Sequence, residues 1–385
     1  MADKPRFEGE KVKLGELISK AKAARCGSAD YPVLSMTMHD GIVEQSGRFK
    51  KAIASKDKSA YKVVNPGQLV VGFPIDEGVL YVQNCGYPGI MSPAYSVWNV
   101  DADRVLPSYL ELALHSPQSM NYYACKLRGT TARRRSMPAE TLCELPIPLP
   151  GQERQRNIVS TFAHLKSQQD IAERQLVLLD DLVKSRFVEM FGGGEWPSKS
   201  IGELATDIRY GTSKKASERG EHAYLRMNNM TDDGKLDFAN VKYIDLSEDE
   251  LMKCQVVDGD LLFNRTNSRE KVGKTAVFHG HTPMVIAGYI IRVRLGDEVR
   301  SDYLSTFMNL TSTKAMLRTI AKGAVHQANI NSKELAALKV PVAPIELQDR
   351  FLAFVAQVDK SRFIAQQQIE KLQMLYDSLA QEYFA

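Results

Sequence analysis

The sequence predicts an α+β protein. We expect two similar mixed α/β domains, joined by two long helices packed as an antiparallel coiled coil, with an internal pseudo-two-fold repeat. Three observations predict this fold: short motifs recur in the same order half a chain apart, two forty-residue segments lack proline and glycine, and both segments carry a heptad pattern. The 385 residues are 44% hydrophobic, which excludes a chain disordered throughout.

The repeat consists of six motif pairs, offset by 187 to 194 residues. Leu14–Leu17 returns as Ile201–Leu204, and Glu153–Gln155 returns as Glu346–Gln348. Chance explains one such pair but not six in order, so we expect a tandem duplication of a unit of roughly 190 residues. Each copy is a mixed domain followed by a long helix, and the predicted segments are 1–150, 151–192, 193–345 and 346–385.

The mixed domains are predicted from short β-rich runs between Gly, Pro and Asn turns, interleaved with helical stretches at Pro107–Ser116 and Ser301–Ala321. A proline-bearing segment closes each domain, at Leu145–Pro150 and at Val340–Pro344, and its prolines favour extended chain. The β-rich runs are Gln68–Phe73, Val79–Gln83, Gly259–Asn264, Ala276–His279 and Ile290–Leu295.

The long helices are predicted from apolar residues spaced alternately four and three positions apart, as in a coiled-coil seam. The fourth seam position is polar in both copies, with Gln169 and Arg362 lying 193 residues apart. Forty residues make each helix about 60 Å long. Two matched seams favour packing of the helices on each other rather than only on their own domains. The apolar seam residues are Ile158, Phe162, Leu165, Leu176, Leu179, Val183, Phe351, Val355, Val358, Ile369, Leu372 and Leu379.

Motifs for catalysis or metal binding are not found. Ser268–Thr275 ends like a phosphate-binding loop, but it lacks the first glycine and is expected between two strands. Phe191–Gly194 follows a long helix and is expected to end it. The five cysteines contain no CxxC pair, and the seven histidines show no metal-ligand spacing. We therefore expect no metal, no bound cofactor and no enzymatic activity in this chain.

Cytoplasmic localisation is expected from the absence of targeting segments. No run of about 18 apolar residues is present, and the first residues lack the apolar stretch of a signal peptide.

Local clusters of basic and amide side chains are the candidate binding residues, because the net charge of +4 is too small to attract nucleic acid by itself. Arg, Asn and Gln pair with base edges, and Lys and Arg neutralise phosphates. Three adjacent arginines repel one another unless an anion lies near, which favours nucleic acid over a solvated loop. The candidate DNA-binding residues are Lys126, Arg128, Arg133, Arg134, Arg135, Arg265, Asn267, Arg269, Lys271, Lys274, His326, Gln327 and Asn329.

The combined features resemble the specificity subunit of type I restriction-modification systems. They are a Gly-Asp-Leu turn at Gly259–Leu262, an Ile-x-Ser-Pro-Ala-Tyr run at Ile90–Tyr95, and a proline-to-heptad-helix junction in both copies. The resemblance covers essentially the whole chain. The second copy departs from it, because Ala287–Tyr289 stands where the first copy has Ser92–Tyr95.

The resemblance implies two target recognition domains, each of which reads one half of a bipartite, asymmetric sequence in double-stranded DNA. It implies that the helices space the half-sites and bind two methyltransferase subunits, through which endonuclease and translocase subunits join. S-adenosylmethionine and ATP would be bound by those partners and neither by this chain, which would itself be non-catalytic.

Two alternatives stay open at the level of sequence. One is the recognition subunit of a related fused restriction-methyltransferase. The other is a two-headed coiled-coil scaffold that binds protein and has no DNA specificity. Neutralising Arg133–Arg135 separates DNA recognition from the scaffold, because only DNA recognition requires those charges.

Overall fold

The structure is a computed structural model that describes residues 10–38, 40–48, 57–127, 137–324 and 327–384. The chain divides into two compact units. The first comprises residues 1–172 with 367–385, and the second comprises residues 173–366. Each unit therefore contains one mixed domain and a part of both long helices.

Short strands and helices build the first mixed domain, as its Gly- and Pro-rich turns predict. The strands are β1 (Lys11–Lys13), β2 (Ile18–Lys20), β3 (Leu34–Met36), β4 (Ile42–Glu44), β5 (Lys62–Val64), β6 (Leu69–Val71), β7 (Leu80–Val82), β8 (Gly89–Met91), β9 (Ser96–Val100) and β10 (Pro146–Pro148). The helices are α1 (Gln45–Arg48), α2 (Pro107–Leu114), α3 (Pro117–Lys126), α4 (Ala139–Cys143) and the first long helix, α5 (Gln152–Phe191).

Among the described residues, the second mixed domain has more strands than the first. They are β11 (Ser198–Ser200), β12 (Ala205–Tyr210), β13 (His222–Leu225), β14 (Lys242–Ile244), β15 (Gln255–Val256), β16 (Leu261–Asn264), β17 (Thr266–Asn267), β18 (Thr275–Val277), β19 (Met284–Ile286), β20 (Ile290–Leu295), β21 (Lys322–Ala324), β22 (Gln327–Asn329) and β23 (Lys339–Pro341). The helices are α6 (Ile201–Leu204), α7 (Glu248–Cys254), α8 (Ser301–Asn309), α9 (Thr311–Ile320), α10 (Ser332–Ala336) and the second long helix, α11 (Ile345–Phe384).

The two domains share a topology, as a duplication requires. Their central four-stranded sheets have the orders β2-β9-β6-β7 and β12-β20-β16-β18, and every pairing in them is antiparallel. In both domains the first strand pairs with the proline-bearing strand, Lys11 opposite Pro148 and Ser198 opposite Pro341. Proline is tolerated there because these pairs are two-stranded and leave one edge free.

The long helices pack on each other in antiparallel orientation. In the first unit the start of α5 meets the end of α11, with the Phe162 ring centroid 4.7 Å from that of Tyr376 and 6.0 Å from that of Phe384. In the second unit the end of α5 meets the start of α11, with the rings of Phe187 and Phe351 5.3 Å apart. The matched seams predicted this arrangement.

The predicted seam residues are all at least half-buried. In the terminal turns of both helices, further residues are buried that the seam pattern did not include. The buried ones are Ile158, Phe162, Leu165, Val183, Phe351 and Val358. The half-buried ones are Leu176, Leu179, Val355, Ile369, Leu372 and Leu379. The heptad pattern missed four buried residues of the terminal turns, because those turns also pack on a mixed domain: Phe187, Phe191, Ala380 and Phe384.

A buried glutamine ties each long helix to its mixed domain. Gln155 accepts a hydrogen bond from the Leu106 N–H (2.8 Å) and donates to the carbonyls of Arg104 (3.1 Å) and Pro150 (2.9 Å). Gln348 makes the same three bonds one repeat later, and both side chains are fully buried. The partners of Gln348 are the Arg300 N–H and the carbonyls of Glu298 and Ala343.

The predicted helix over Ser301–Ala321 is wrong in one respect, because it is two helices broken at Leu310. Leu310 has an extended backbone, with φ −62° and ψ 147°. The Asn309 amide donates to the carbonyl of Ser305 at 2.9 Å and to that of Thr275 at 2.7 Å, which ties the end of α8 to β18. Asparagine bonds readily to nearby backbone groups and so favours such ends over helix interiors.

Two further predictions are confirmed by the elements. α5 ends at Phe191, before the three glycines, and the segment that ends like a phosphate-binding loop lies between β17 and β18 with no helix after it. All five cysteines are free. Within the described part of the chain, no helix has the length and apolar composition needed to cross a membrane.

Candidate nucleic-acid interface

The predicted residues of the second unit fall in two stretches of sequence, 265–274 and 326–329, and the described parts of these stretches meet on one small sheet. β17 pairs with β22, and β21 completes the sheet. Thr266 lies opposite Asn329 in the register, and its hydroxyl donates to the Asn329 side-chain oxygen at 2.8 Å. The sheet thus brings the segment around Arg265 beside the segment around Gln327, although some sixty residues separate them in sequence.

A concavity of about 870 Å³ opens beside this sheet. The predicted residues Arg265, Gln327 and Asn329 line it, with four further cationic side chains. No carboxylate of the described residues lines it. The other polar and aromatic side chains of the lining include Lys214, Lys215, Arg226, Lys322, Asn228, Tyr224 and Tyr289. The concavity therefore suits a polyanion.

Arg265 is held in a defined position in this concavity. Its guanidinium carbon lies 4.7 Å from the centre of the Tyr210 ring, a cation–π contact. Its backbone N–H donates to the Tyr289 carbonyl and its backbone carbonyl accepts from the Ile330 N–H, both at 2.9 Å. The side chain makes one long bond, from Nη1 to the Gly288 carbonyl (3.4 Å), and Nε lacks a partner within the described chain. A guanidinium with five N–H donors thus keeps capacity for a ligand.

Two lysines of the lining form ion pairs. Lys322, itself exposed, lies 2.6 Å from the mostly buried Glu334, whereas Lys214 lies 2.7 Å from Glu250 in a pair that is exposed on both sides. A hydrogen bond from Lys214 lowers the pKa of Glu250 to about 2, and one from Lys322 lowers the pKa of Glu334. An exposed pair such as that of Lys214 and Glu250 contributes little to stability, so a phosphate can replace the carboxylate at small cost.

Four other predicted residues of the second unit, all of them described, do not line the concavity. Asn267 donates to a neighbouring asparagine side chain at 3.0 Å. Lys274 forms an ion pair with Asp232 at 2.6 Å and is largely buried. Arg269 and Lys271 are exposed. As DNA contacts these four residues stay predictions, and two of them already serve the domain's own structure.

The predicted cluster of the first unit is described only at its beginning. Lys126 ends α3 and is exposed, with Nζ 6.0 Å from the centre of the Tyr122 ring. The other predicted members lie outside the described residues, as does His326 of the second unit. These members are Arg128, Arg133, Arg134 and Arg135.

Several side chains of the concavity were not predicted from the sequence, among them Lys214, Lys215, Arg226 and Tyr289. Lys214 and Lys215 form a basic pair just after β12, which was the available signal. Arg226 and Tyr289 each flank a strand and carry no local signal. They meet the others because the chain after β12 runs close to β19: a Cβ on Gly211 would lie 2.1 Å from the Ile286 carbonyl oxygen.

Metal ligands do not cluster in the described residues. No group of three or more His, Cys, Asp or Glu side chains there has the arrangement needed to hold a metal ion.

Comparison with known proteins identifies similar sequences. Residues 193–374 match the family model of the type I restriction modification DNA specificity domain. The chain is 27% identical over 182 residues to the putative type I restriction enzyme MjaX specificity subunit of Methanocaldococcus jannaschii, covering 46% of this chain and 43% of that protein. It is 25% identical over 233 residues to the type I restriction enzyme EcoKI specificity subunit of Escherichia coli K12, covering 55% and 50%. The matches span about half the length of these relatives.

Solved structures match over nearly the whole chain. One comes from work on complex assembly and conformational transition of the type I restriction-modification system, with a TM-score of 0.62, 16% identity and 98% coverage of both chains. Another is the type I restriction-modification S subunit from M. genitalium, with a TM-score of 0.53, 14% identity, and coverage of 100% of this chain and 98% of that one. These likenesses confirm the predicted fold class.

Proposed function

We propose that this chain is the non-catalytic DNA-recognition subunit of a type I restriction-modification complex, on the premise that residues 193–374 match the family model of the type I DNA specificity domain. In this role it reads a bipartite, asymmetric sequence and positions adenine methyltransferase and endonuclease subunits on it. The match to the family model and the similarity to two specificity subunits agree with the resemblance found in the sequence.

The cationic concavity of the second unit is the observation that carries the proposal. Five cationic side chains without a carboxylate among the described lining residues attract the phosphate backbone, which supplies most of the salt-dependent affinity for DNA. Arg265, Gln327 and Asn329 are of the residue types that pair with guanine and adenine edges in the major groove. The second unit therefore contacts phosphates and base edges with the same surface.

The first unit reads the other half-site in this proposal. It has the same domain topology, and Lys126 begins its basic cluster. The two target sequences differ because the loops differ while the frame is kept. The combination gives one asymmetric target with a fixed gap.

The long helices bind the two methyltransferase subunits in this proposal. Each unit exposes large apolar side chains at repeat-equivalent positions of the helices: Ile171 and Ile364 are 53% and 64% exposed, and Leu375 and Leu182 are both 46% exposed. Exposed apolar side chains mark protein contacts, and their repetition favours two copies of one partner. S-adenosylmethionine and ATP then belong to the partner subunits, and the complex works in the cytoplasm, on DNA.

The test is N6-methyladenine mapping by long-read sequencing of DNA from cells that co-express this chain with its cognate methyltransferase subunit. We expect a new two-part motif, with one adenine methylated on each strand and a fixed undefined gap. Co-expression with a methyltransferase that lacks catalytic activity is the control. A soluble, assembled complex that methylates no new motif would contradict DNA recognition and favour the scaffold.

A further inference from the structure

Each unit has a cleft between its mixed domain and the long helices, and the two clefts are repeat equivalents. The first has a volume of about 710 Å³ and the second about 440 Å³. Their walls correspond residue by residue: Val82, Phe162 and Tyr376 line the first where Val277, Val355 and Val183 line the second.

In the second unit, the chain's own loop lines the cleft. Residues 226–241 join β13 to β14, and within them Lys235, Leu236 and Phe238 line the cleft. The loop fits closely, because a Cβ on Gly234 would lie 2.3 Å from the Asn309 amide nitrogen of α8. A peptide with a basic residue beside large apolar ones is therefore what this surface accommodates.

In the first unit, the equivalent loop is about a third as long. Residues 37–41 join β3 to β4, and the described ones do not line the cleft. The wider cleft is lined by half-buried Leu112 and Val159. It also holds a carboxyl group, Glu111, at the position of Ser305 in the second unit.

Glu111 gives this cleft a charge preference. Its Oε2 accepts the Val82 N–H at 2.7 Å, and burial raises the pKa of the carboxyl. Lys166 carries the one ammonium among the described lining residues, and it pairs with Asp170 at 3.3 Å. The described residues hold no ion pair to Glu111. A cationic group that enters the cleft would stabilise the ionised carboxylate.

We propose that the cleft of the first unit receives a segment of a methyltransferase subunit that carries a large apolar side chain beside a Lys or Arg. This segment packs into the cleft of the first unit as Lys235–Phe238 packs into the cleft of the second. The inference rests on the proposed function, because that function supplies the partner. It follows that the two methyltransferase subunits bind this chain unequally, since among the described residues the chain's own loop narrows the cleft of the second unit and not that of the first.

The test is a matched pair of filling substitutions on exposed helix positions one repeat apart. Ala163→Trp fills the cleft of the first unit, whereas Ala356→Trp lies at the equivalent position and lines neither cleft. We measure binding of the purified methyltransferase subunit by native mass spectrometry and titration calorimetry. For A163W we expect at least tenfold weaker binding of one of the two subunits, and for A356W unchanged binding of both.

Glu111→Gln provides a second, nearly isosteric variant, because the amide oxygen still accepts the Val82 N–H. We expect weaker binding of the same single subunit and a smaller salt dependence of that step. If A163W and E111Q bind two methyltransferase subunits as the wild type does, the cleft is no docking site and the inference is overturned while the proposed function stands. If the wild-type chain binds no methyltransferase subunit, both fail.

Discussion

At one level of the helix seam the two units differ in chemistry. In the first unit the Gln169 amide donates to the side-chain oxygen of Gln373 at 3.1 Å. At the equivalent positions of the second unit Arg362 pairs with Asp180, and Arg362 also contacts Asp359 at 2.5 Å. A neutral amide pair and an ion pair thus occupy the same place. Both units therefore keep a paired polar contact at this position of the helix seam, although the chemistry of the pair differs.

The buried glutamines behave in the opposite way. Gln155 and Gln348 make the same three hydrogen bonds to their domains. The junction of helix and domain is therefore the part of the repeat that stays constant, whereas loops such as 37–41 and 226–241 differ in length and in the surface they create.

The largest expected loss of stability comes from disrupting the helix seam in one unit at a time. Phe162→Ala in the first unit and Phe351→Ala in the second each remove a buried ring and should cost about 3–5 kcal/mol. Hydrogen exchange followed by mass spectrometry should show faster exchange mainly in the unit that carries the substitution. Equal loss of protection in both units would contradict two separately packed cores.

The next effect tests the constant junction. Gln155→Leu and Gln348→Leu each leave a buried backbone N–H and two carbonyls without their partner, which should cost about 1–3 kcal/mol. Because the bonds are the same, urea unfolding should give the two variants equal losses. A loss in only one variant would show that the junctions are not equivalent.

A smaller difference is expected between the coupling energies of the two polar seam pairs, and double-mutant cycles measure it. We expect a coupling energy of about 1.5–3 kcal/mol between Arg362 and Asp180, because their bond is charge-assisted, and about 0.5–1.5 kcal/mol between Gln169 and Gln373. The cycles use alanine at each position and denaturant unfolding. Equal coupling at both sites would contradict the distinction.

The smallest effect is the pH dependence that His279 gives to the second unit. His279 lies 2.9 Å from Asp302 and 3.4 Å from Asp258, and the hydrogen bond to Asp302 raises the pKa of His279. Because the pKa of His279 is higher in the folded than in the unfolded state, protonated His279 stabilises the fold. This contribution is complete below the unfolded-state pKa of about 6.5 and is lost as the pH rises through the folded-state pKa. The side chain is exposed, so we expect well under 1 kcal/mol.

The matched variant for this prediction is His279→Asn, since Asn84 stands at the equivalent position of the first unit. Unfolding measured between pH 5 and 8 should show a weaker pH dependence for the variant than for the wild type. An unchanged pH profile would assign the dependence to other groups.

The sequence alone predicts the elements that depend on long periodic patterns. α5 covers Gln152–Phe191 and α11 covers Ile345–Phe384, against the predicted segments 151–192 and 346–385. A forty-residue apolar seam without proline or glycine favours helix over other structures. The break at Leu310 was missed, since it depends on a tertiary bond from Asn309 to Thr275.

The candidate site was predictable only in part. Arg265 and Gln327 were found from composition, but their meeting depends on the pairing of β17 with β22, which no local pattern specifies. Arg226 and Tyr289 were missed for the same reason. Asn267 and Lys274 have side chains typical of DNA contacts, yet the fold uses both for internal bonds.

The central claim is that each unit reads its own half-site, and methylome sequencing of Arg265→Ala tests it most directly. Lys253→Ala is the control, because it removes one positive charge of the second unit outside the concavity. We expect R265A to relax or lose a base preference in one half of the motif, which corresponds to a loss of about 1–3 kcal/mol in discrimination between bases. The other half of the motif and the gap should stay unchanged. If R265A changed the base preference in both half-sites, separate reading by the two units would be contradicted. The same holds if R265A methylated the wild-type motif fully and with unchanged base preference.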